Sequence, residues 1–365
     1  MKTARNRALA SIAAAALIFS FSACSNDDGQ DQGSSDTKLS GTINGSGASS
    51  QVNAQQAWRD NFTKETGVVV NYDPTGSGTG RDQFLAGEVV FAGTDSMLKD
   101  EELTKAAERC GDTGVIELPL YISPIAIAFN LEGIDSLNMD AKTIAGIFDG
   151  KITKWNDAAI ADANPDVELP DADIIPVNRA DKSGTTENFQ QYLVEAAGDA
   201  WPYEADDIWP KEGTQAAEKT SGVVNLVKST QYSITYADAS QIGDLGSVAV
   251  EVGDEFLKYS PEAAAAIVDG SEPTANATDQ ILTVDLKRDG SIKGAYPVVM
   301  ISYLVACTQY EDASTAANVK AYFEYMASAD GQEVAAKANG GNAPISDDLR
   351  DKAMAAIAKI AVAAK

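Results

Sequence analysis

Three times this chain runs from an extended stretch, through a loop of glycines and hydroxyl side chains, into a helical pattern. Leu39 to Asn44 reads as a strand, Gly45-Ser46-Gly47-Ala48-Ser49-Ser50 as the loop, and Val52, Ala54, Ala57, Trp58 and Phe62 mark the helix. Gly67 to Asp73 reads as a second strand, running into Pro74-Thr75-Gly76-Ser77-Gly78-Thr79-Gly80 and a helix carrying Phe84 and Leu85. The third unit is Asp173 to Asn178, then Arg179-Ala180-Asp181-Lys182-Ser183-Gly184-Thr185, then Phe189, Tyr192, Leu193 and Ala196 at i, i+3, i+4, i+7 spacing. Repetition of this unit predicts an α/β sheet, largely parallel, whose ligands sit beyond the carboxyl ends of the strands. Ser49, Ser77 and Ser183 fall at that edge. So does Asp95, which follows a short strand, Val89 to Ala92.

Two long extended runs frame the middle of the chain. Val115 to Asn130 is broken only by Pro119 and Pro124, and Tyr296 to Cys307 is almost wholly apolar. Runs of this length suit a chain that crosses from one domain to another and back. Tyr121 and Tyr303 on them read either as hinge packing or as cleft wall. Between the runs, short helices are expected at 143–149 and 157–161 around a core Trp155. A loop-rich stretch follows from Gly198 to Thr220, then a helix at 222–228, a strand at 232–236 and an Ala-rich helix at 261–268. Two helices, 313–328 and 347–364, close the chain. In the second, Met354, Ile357, Ile360 and Ala361 are expected in the core.

Composition narrows the chemistry. The 365 residues carry a formal charge of -26 and no His. The acidic balance disfavours nucleic acid, which needs clustered Lys and Arg. Without His the Ser-His-Asp triad and most transition-metal sites drop out, and no cofactor or metal is expected. Lys2, Arg5 and Arg7 precede an apolar run, Ala8 to Phe21, too short to span a bilayer comfortably. It ends in Phe21-Ser22-Ala23-Cys24, which resembles a bacterial lipobox with Phe where Leu is usual. Residues 1–23 therefore read as a signal peptide and Cys24 as the lipidated residue. Ser25 to Lys38 holds no apolar residue and reads as a disordered tether with a reach on the order of 20 Å. Cys110 and Cys307 remain, as a disulfide or as two buried thiols.

The loops favour an oxyanion. Helix N-termini offer unpaired N–H groups and a positive dipole end. Arg179 adds a planar fork of donors. The stretch Gly76 to Gly80 lacks the Lys-Ser/Thr pair of a P-loop and is not a full dinucleotide fingerprint.

Five stretches together resemble the phosphate-binding protein of the high-affinity bacterial phosphate ABC importer. They are Asn44 to Ser50; Val70-Asn71-Tyr72 with Gly76-Ser77-Gly78; Phe91 to Asp95; Ile147 to Asp157; and Arg179 to Thr185. The resemblance implies the two-domain periplasmic-binding-protein fold (type II), with a ligand cleft between domains joined by two crossing segments. Domain I would comprise 39–119 plus 296–365 and domain II 120–295. It implies a monomeric, non-enzymatic receptor delivering inorganic phosphate to ABC permease subunits. By motif, the anion would be held by Ser49, Ser50 through its amide, Ser77, Asp95, Arg179, Ser183, Gly184 and Thr185, with Asp181 orienting Arg179. The chain departs from the family pattern at Ser50, where a bulkier residue is common, and at Lys182, where glycine is common. Receptors for sulfate or molybdate and a Ser-dependent phosphatase are the alternatives.

Overall fold

Val115–Phe129, extended throughout and buried at every position, is the axis of the fold. Burial on both faces explains why the run is apolar without alternation. The computed structural model describes residues 39–111, 114–338 and 342–363, so the expected signal peptide, Cys24 and the tether lie outside the described residues.

Before the axis come β1 (Thr42–Gly47), α1 (Val52–Thr66), β2 (Val69–Asp73), α2 (Ser77–Leu85), β3 (Phe91–Thr94) and α3 (Asp100–Cys110). The axis is β4 (Val115–Phe129). It leads to β5 (Ser136–Met139), α4 (Ala141–Phe148), α5 (Ala158–Ala161), β6 (Ile175–Arg179) and α6 (Gly184–Tyr192). Next are β7 (Gln215–Ala217), α7 (Lys219–Ser229), β8 (Ser233–Asp238), β9 (Gly246–Val252), β10 (Glu255–Leu257) and α8 (Pro261–Asp269). A short pair, β11 (Glu272–Pro273) and β12 (Val284–Asp285), precedes β13 (Val299–Cys307) and β14 (Gln309–Tyr310). The chain closes with α9 (Ala313–Ala327), α10 (Ala329–Lys337), α11 (Asp347–Ile357) and β15 (Ala361–Val362).

The strands join in the order β2-β1-β3-β13-β4-β8-β6-β7, with β9 also on β4. The first part of β4 pairs antiparallel with β13, from Val115↔Cys307 to Pro124↔Val299. Its last five residues pair antiparallel with β8, from Ile125↔Asp238 to Phe129↔Ile234. One strand thus serves two groups of partners, changing at Pro124. The register slips at Ser302/Tyr303, where Tyr121 and Pro119 are the opposing partners and Leu120 is skipped. A proline cannot donate to the ladder, and the bulge beside it re-aims the side chains around Ser302.

The sheet is mixed, and the expectation of a largely parallel one is corrected. The β1–β2, β1–β3 and β6–β8 pairs are parallel, but the outward and return crossings run antiparallel by construction. Trp155 is core, as expected. The closing helix stops at Ile357, short of the expected 364. Ala361–Val362 instead pairs in parallel with Gln309–Tyr310. Ile357 and Ile360 are buried, but Met354 is 37% exposed and Ala361 is exposed, which corrects their placement in the core. Cys110 and Cys307 form a disulfide with Cα atoms 5.1 Å apart, tying the end of α3 to the end of β13.

Candidate functional site

The ends of β1, β3 and β6 deliver the site, and glycine lets them converge. At Gly47, with φ 145°, an added Cβ would lie 1.9 Å from the Gly93 carbonyl oxygen. At Gly184, the first residue of α6, it would lie 2.8 Å from Cβ of Asp95. No other residue type fits such approaches without backbone movement.

Asp95 is the hub. Its carboxylate is buried, and Oδ1 accepts from the hydroxyls of Ser50 (2.6 Å) and Ser302 (2.5 Å). Oδ2 accepts from Thr185 Oγ1 (2.9 Å). Its amide donates to Ser77 Oγ (3.1 Å), and its carbonyl accepts from Asn188 (2.6 Å). Burial pushes the Asp95 carboxyl up from its ordinary range, against the downward pull of Ser302, Ser50, Thr185 and the Arg179 charge. None of these bonds is the helix-capping contact that would make Asp95 a purely structural residue.

Arg179 is equally buried. It grips Asp181 with Nε (2.7 Å) and Nη2 (2.5 Å). Asp181 Oδ1 also accepts from the Lys219 amide (3.0 Å). Burial pushes Asp181 up, but the Arg179 bond and charge prevail and hold it below the usual carboxylate range. Ser183 caps α6 by accepting from the Thr186 amide (3.1 Å). The amides of Gly184 and Thr185, in the first turn, then have no intrahelical acceptor. Ser49 Oγ accepts from the Thr220 amide (3.0 Å) and lies 3.0 Å from the Thr220 hydroxyl. Ser49 thus meets Thr220, the neighbouring Lys219 amide meets Asp181 and through it Arg179, and Asp95 gathers Ser50, Ser77 and Thr185.

Residues 32–330 match the PBP superfamily domain. Phosphate-binding protein PstS 3 of Mycobacterium tuberculosis is 32% identical over 364 residues, covering 96% of this chain and 97% of the relative. The chain belongs to the phosphate-binding protein family of the PBP superfamily. PstS of Xylella fastidiosa is 31% identical over 74% of this chain and 73% of its own length. A phosphate-binding protein from Stenotrophomonas maltophilia superposes with a TM-score of 0.68 at 22% identity, covering 86% of this chain and 93% of that one. The fold is accordingly the two-domain α/β arrangement of periplasmic phosphate-binding proteins.

Within this phosphate-binding protein family pattern, the chain's two departures resolve differently. Ser50 is more than an amide: its hydroxyl is spent on Asp95. Lys182 reaches Asp82 at 3.4 Å with both side chains more than half exposed, a pair worth little. Sequence reasoning missed Ser302, Thr220, Asn188 and Gln241, which donates to the carbonyls of Ser49 (3.0 Å) and Ser50 (2.8 Å). It also missed Arg81, buried between Glu102 (2.9 Å) and Asp207 (3.0 Å). For Ser302 a signal existed: a hydroxyl inside an apolar run must find a partner once buried. Tyr121 and Tyr303 are both buried. Tyr121 donates to Asp238 (3.0 Å) and Tyr303 accepts from the Val284 amide (3.2 Å).

Proposed function

We propose that this chain binds inorganic phosphate outside the cytoplasmic membrane and delivers it to the membrane subunits of an ABC importer. The observation that carries this reading is a buried carboxylate, Asp95, set among the donors of an anion site. Near neutral pH phosphate keeps at least one proton and can donate it to a carboxylate, which when ionised only accepts. Sulfate has no proton to offer and would meet Asp95 charge to charge, a mismatch of roughly 2–5 kcal/mol by analogy with buried charge pairs. Ser49, Ser50, Ser77, Arg179, Ser183, Gly184 and Thr185 supply the remaining donors, and Asp181 orients Arg179.

The two lobes, residues 39–119 with 296–365 and residues 120–295, close on the ligand by hinge motion. Bonds from Thr185 to Asp95, Thr220 to Ser49 and Arg81 to Asp207 join them across the cleft and support this. A monomer held to the membrane by lipid on Cys24 presents the closed form to the permease. A Cys24→Ala variant recovered in the medium rather than with membranes is the expected result for that anchor.

Calorimetric titration decides the ligand. Phosphate binding with weak or absent sulfate binding is expected. Sulfate bound as tightly as phosphate overturns the reading in favour of another oxyanion. Hydrolysis of a phosphomonoester by the purified protein would point instead to a Ser-dependent phosphatase.

A further inference from the structure

Behind Asp95 lies a line of buried side chains whose hydrogen bonds all run one way. Tyr322 Oη, on α9, donates to Gln55 Oε1 (2.8 Å). Gln55 Nε2 donates to Gln51 Oε1 (2.9 Å), and Gln51 Nε2 donates to Ser302 Oγ (2.6 Å). Ser302 Oγ then donates to Asp95 Oδ1 (2.5 Å). All five residues are buried.

Proton counting fixes the direction. A serine hydroxyl has one proton. Because Ser302 accepts from Gln51, its own proton has Asp95 as its acceptor. Ser50 donates to the same oxygen, so Oδ1 receives two donors and offers no room for a proton of its own. Oδ2 receives only Thr185 and keeps capacity for a ligand proton. Reversing the line requires a proton on Asp95 and rotation of both glutamine amides. Burial pushes the Tyr322 phenol far up, so the line begins on a group that stays a donor.

We propose that Gln51 and Ser302 are positioning residues for ligand discrimination, acting through Asp95: the donor line from Tyr322 holds Oδ1 as an acceptor and leaves Oδ2 as the oxygen that tests the ligand for a proton. This rests on the phosphate reading of the site. It adds that selectivity is set from α1, β13 and α9, by residues that do not face the anion. Arg179 on β6 and Tyr72 on β2 interact electrostatically with the Asp95 carboxylate. Lys99, Glu187, Glu195, Asp285, Arg288 and Tyr303 line the cavity of about 300 Å³ on its other side.

The test measures phosphate and sulfate affinity against pH for the full chain and for Ser302→Ala, Gln51→Met, Tyr322→Phe and Ser302→Thr. Loss of the donor favours the protonated carboxyl, which no longer repels sulfate. In Ser302→Ala and Gln51→Met the sulfate profile is expected to move about one pH unit upward, an approximately tenfold gain in sulfate affinity at a given pH. Ser302→Thr keeps the hydroxyl and the wild-type profile. Tyr322→Phe removes one hydroxyl at the far end of the line and shifts the profile in the same direction. It carries the test where a nearer variant does not fold. Wild-type profiles in all the deletions, or equal loss of both ligands, overturn the inference while the wild type still binds phosphate. A wild type that binds no phosphate overturns the reading of the site itself.

Discussion

At the residue scale, Asp95 separates what a motif conveys from what a fold adds. Its place after a strand end, with Arg179 and three hydroxyl loops elsewhere in the chain, marked it as a candidate in the sequence. The hydroxyl of Ser50 and the role of Ser302 were not legible. Ser302 lies 207 residues away, and the antiparallel β3–β13 pairing, with Tyr303 opposite Thr94, brings it to Oδ1. Asp95→Asn removes the charge and leaves an oxygen able to accept. With Ser50 and Ser302 holding that oxygen at the Oδ1 position, the NH2 group takes the Oδ2 position and meets a ligand P–OH donor to donor. Phosphate affinity is expected to fall about tenfold or more, and the phosphate-to-sulfate ratio to shrink further, since the repulsion that excluded sulfate is gone. Unchanged selectivity in competitive titration would remove Asp95 from its role.

At the scale of elements, β4 was readable because burial on both faces writes a continuous apolar run. The helices α3 and α10 were not. Among residues of α3 only Ala106 and Cys110 are buried, so its apolar stripe is thin. α10 begins directly after α9, on the same Ser328 that ends it, and contains Gly331, so no loop signal separates the two. At Ala361 strand pairing overrides the helix propensity of an Ala-rich tail. The disulfide holds α3 to β13 across 197 residues of sequence. Reduction, or paired Cys110→Ala and Cys307→Ala replacement, is expected to lower unfolding free energy by about 2–5 kcal/mol, read by denaturant titration with and without reductant.

Glu117, in the middle of β4, gives that strand a pH dependence. Burial raises its carboxyl from 4.5 to about 7, against the Leu98 amide bond and the Arg81 charge. The folded state therefore holds a proton that the unfolded chain releases. That contribution is complete below about pH 4.5 and is lost as pH rises through about 7, a loss of about 3 kcal/mol from this group. Glu117→Gln, which cannot ionise, is expected to flatten this part of the stability curve. The difference between variant and wild type isolates it from other carboxylates. A parallel pair of curves would show that Glu117 titrates normally.

At the scale of the whole molecule, a chain of formal charge -26 is proposed to capture an anion. The two facts act at different ranges. In the proposed site, bound-state stability depends on contacts within a few ångströms: Arg179, the α6 N-terminus and the hydroxyls. Encounter depends on the summed field, which repels a phosphate dianion until it is inside the cleft. Salt separates the two, because the Debye length shrinks from about 30 Å at 0.01 M to about 10 Å at 0.1 M while buried contacts are screened far less. The association rate for phosphate, followed by stopped flow, is therefore expected to rise with ionic strength, with the dissociation rate nearly constant. An association rate that falls with salt would mean that Lys182, exposed beside Asp82, and Lys99, exposed beside Asp206, outweigh the acidic surface and steer the ligand in. Lys182→Gly then supplies the second arm. If the global field governs encounter, removing one paired surface cation barely changes the rate; if the local patch governs, the rate drops and its salt dependence weakens with it.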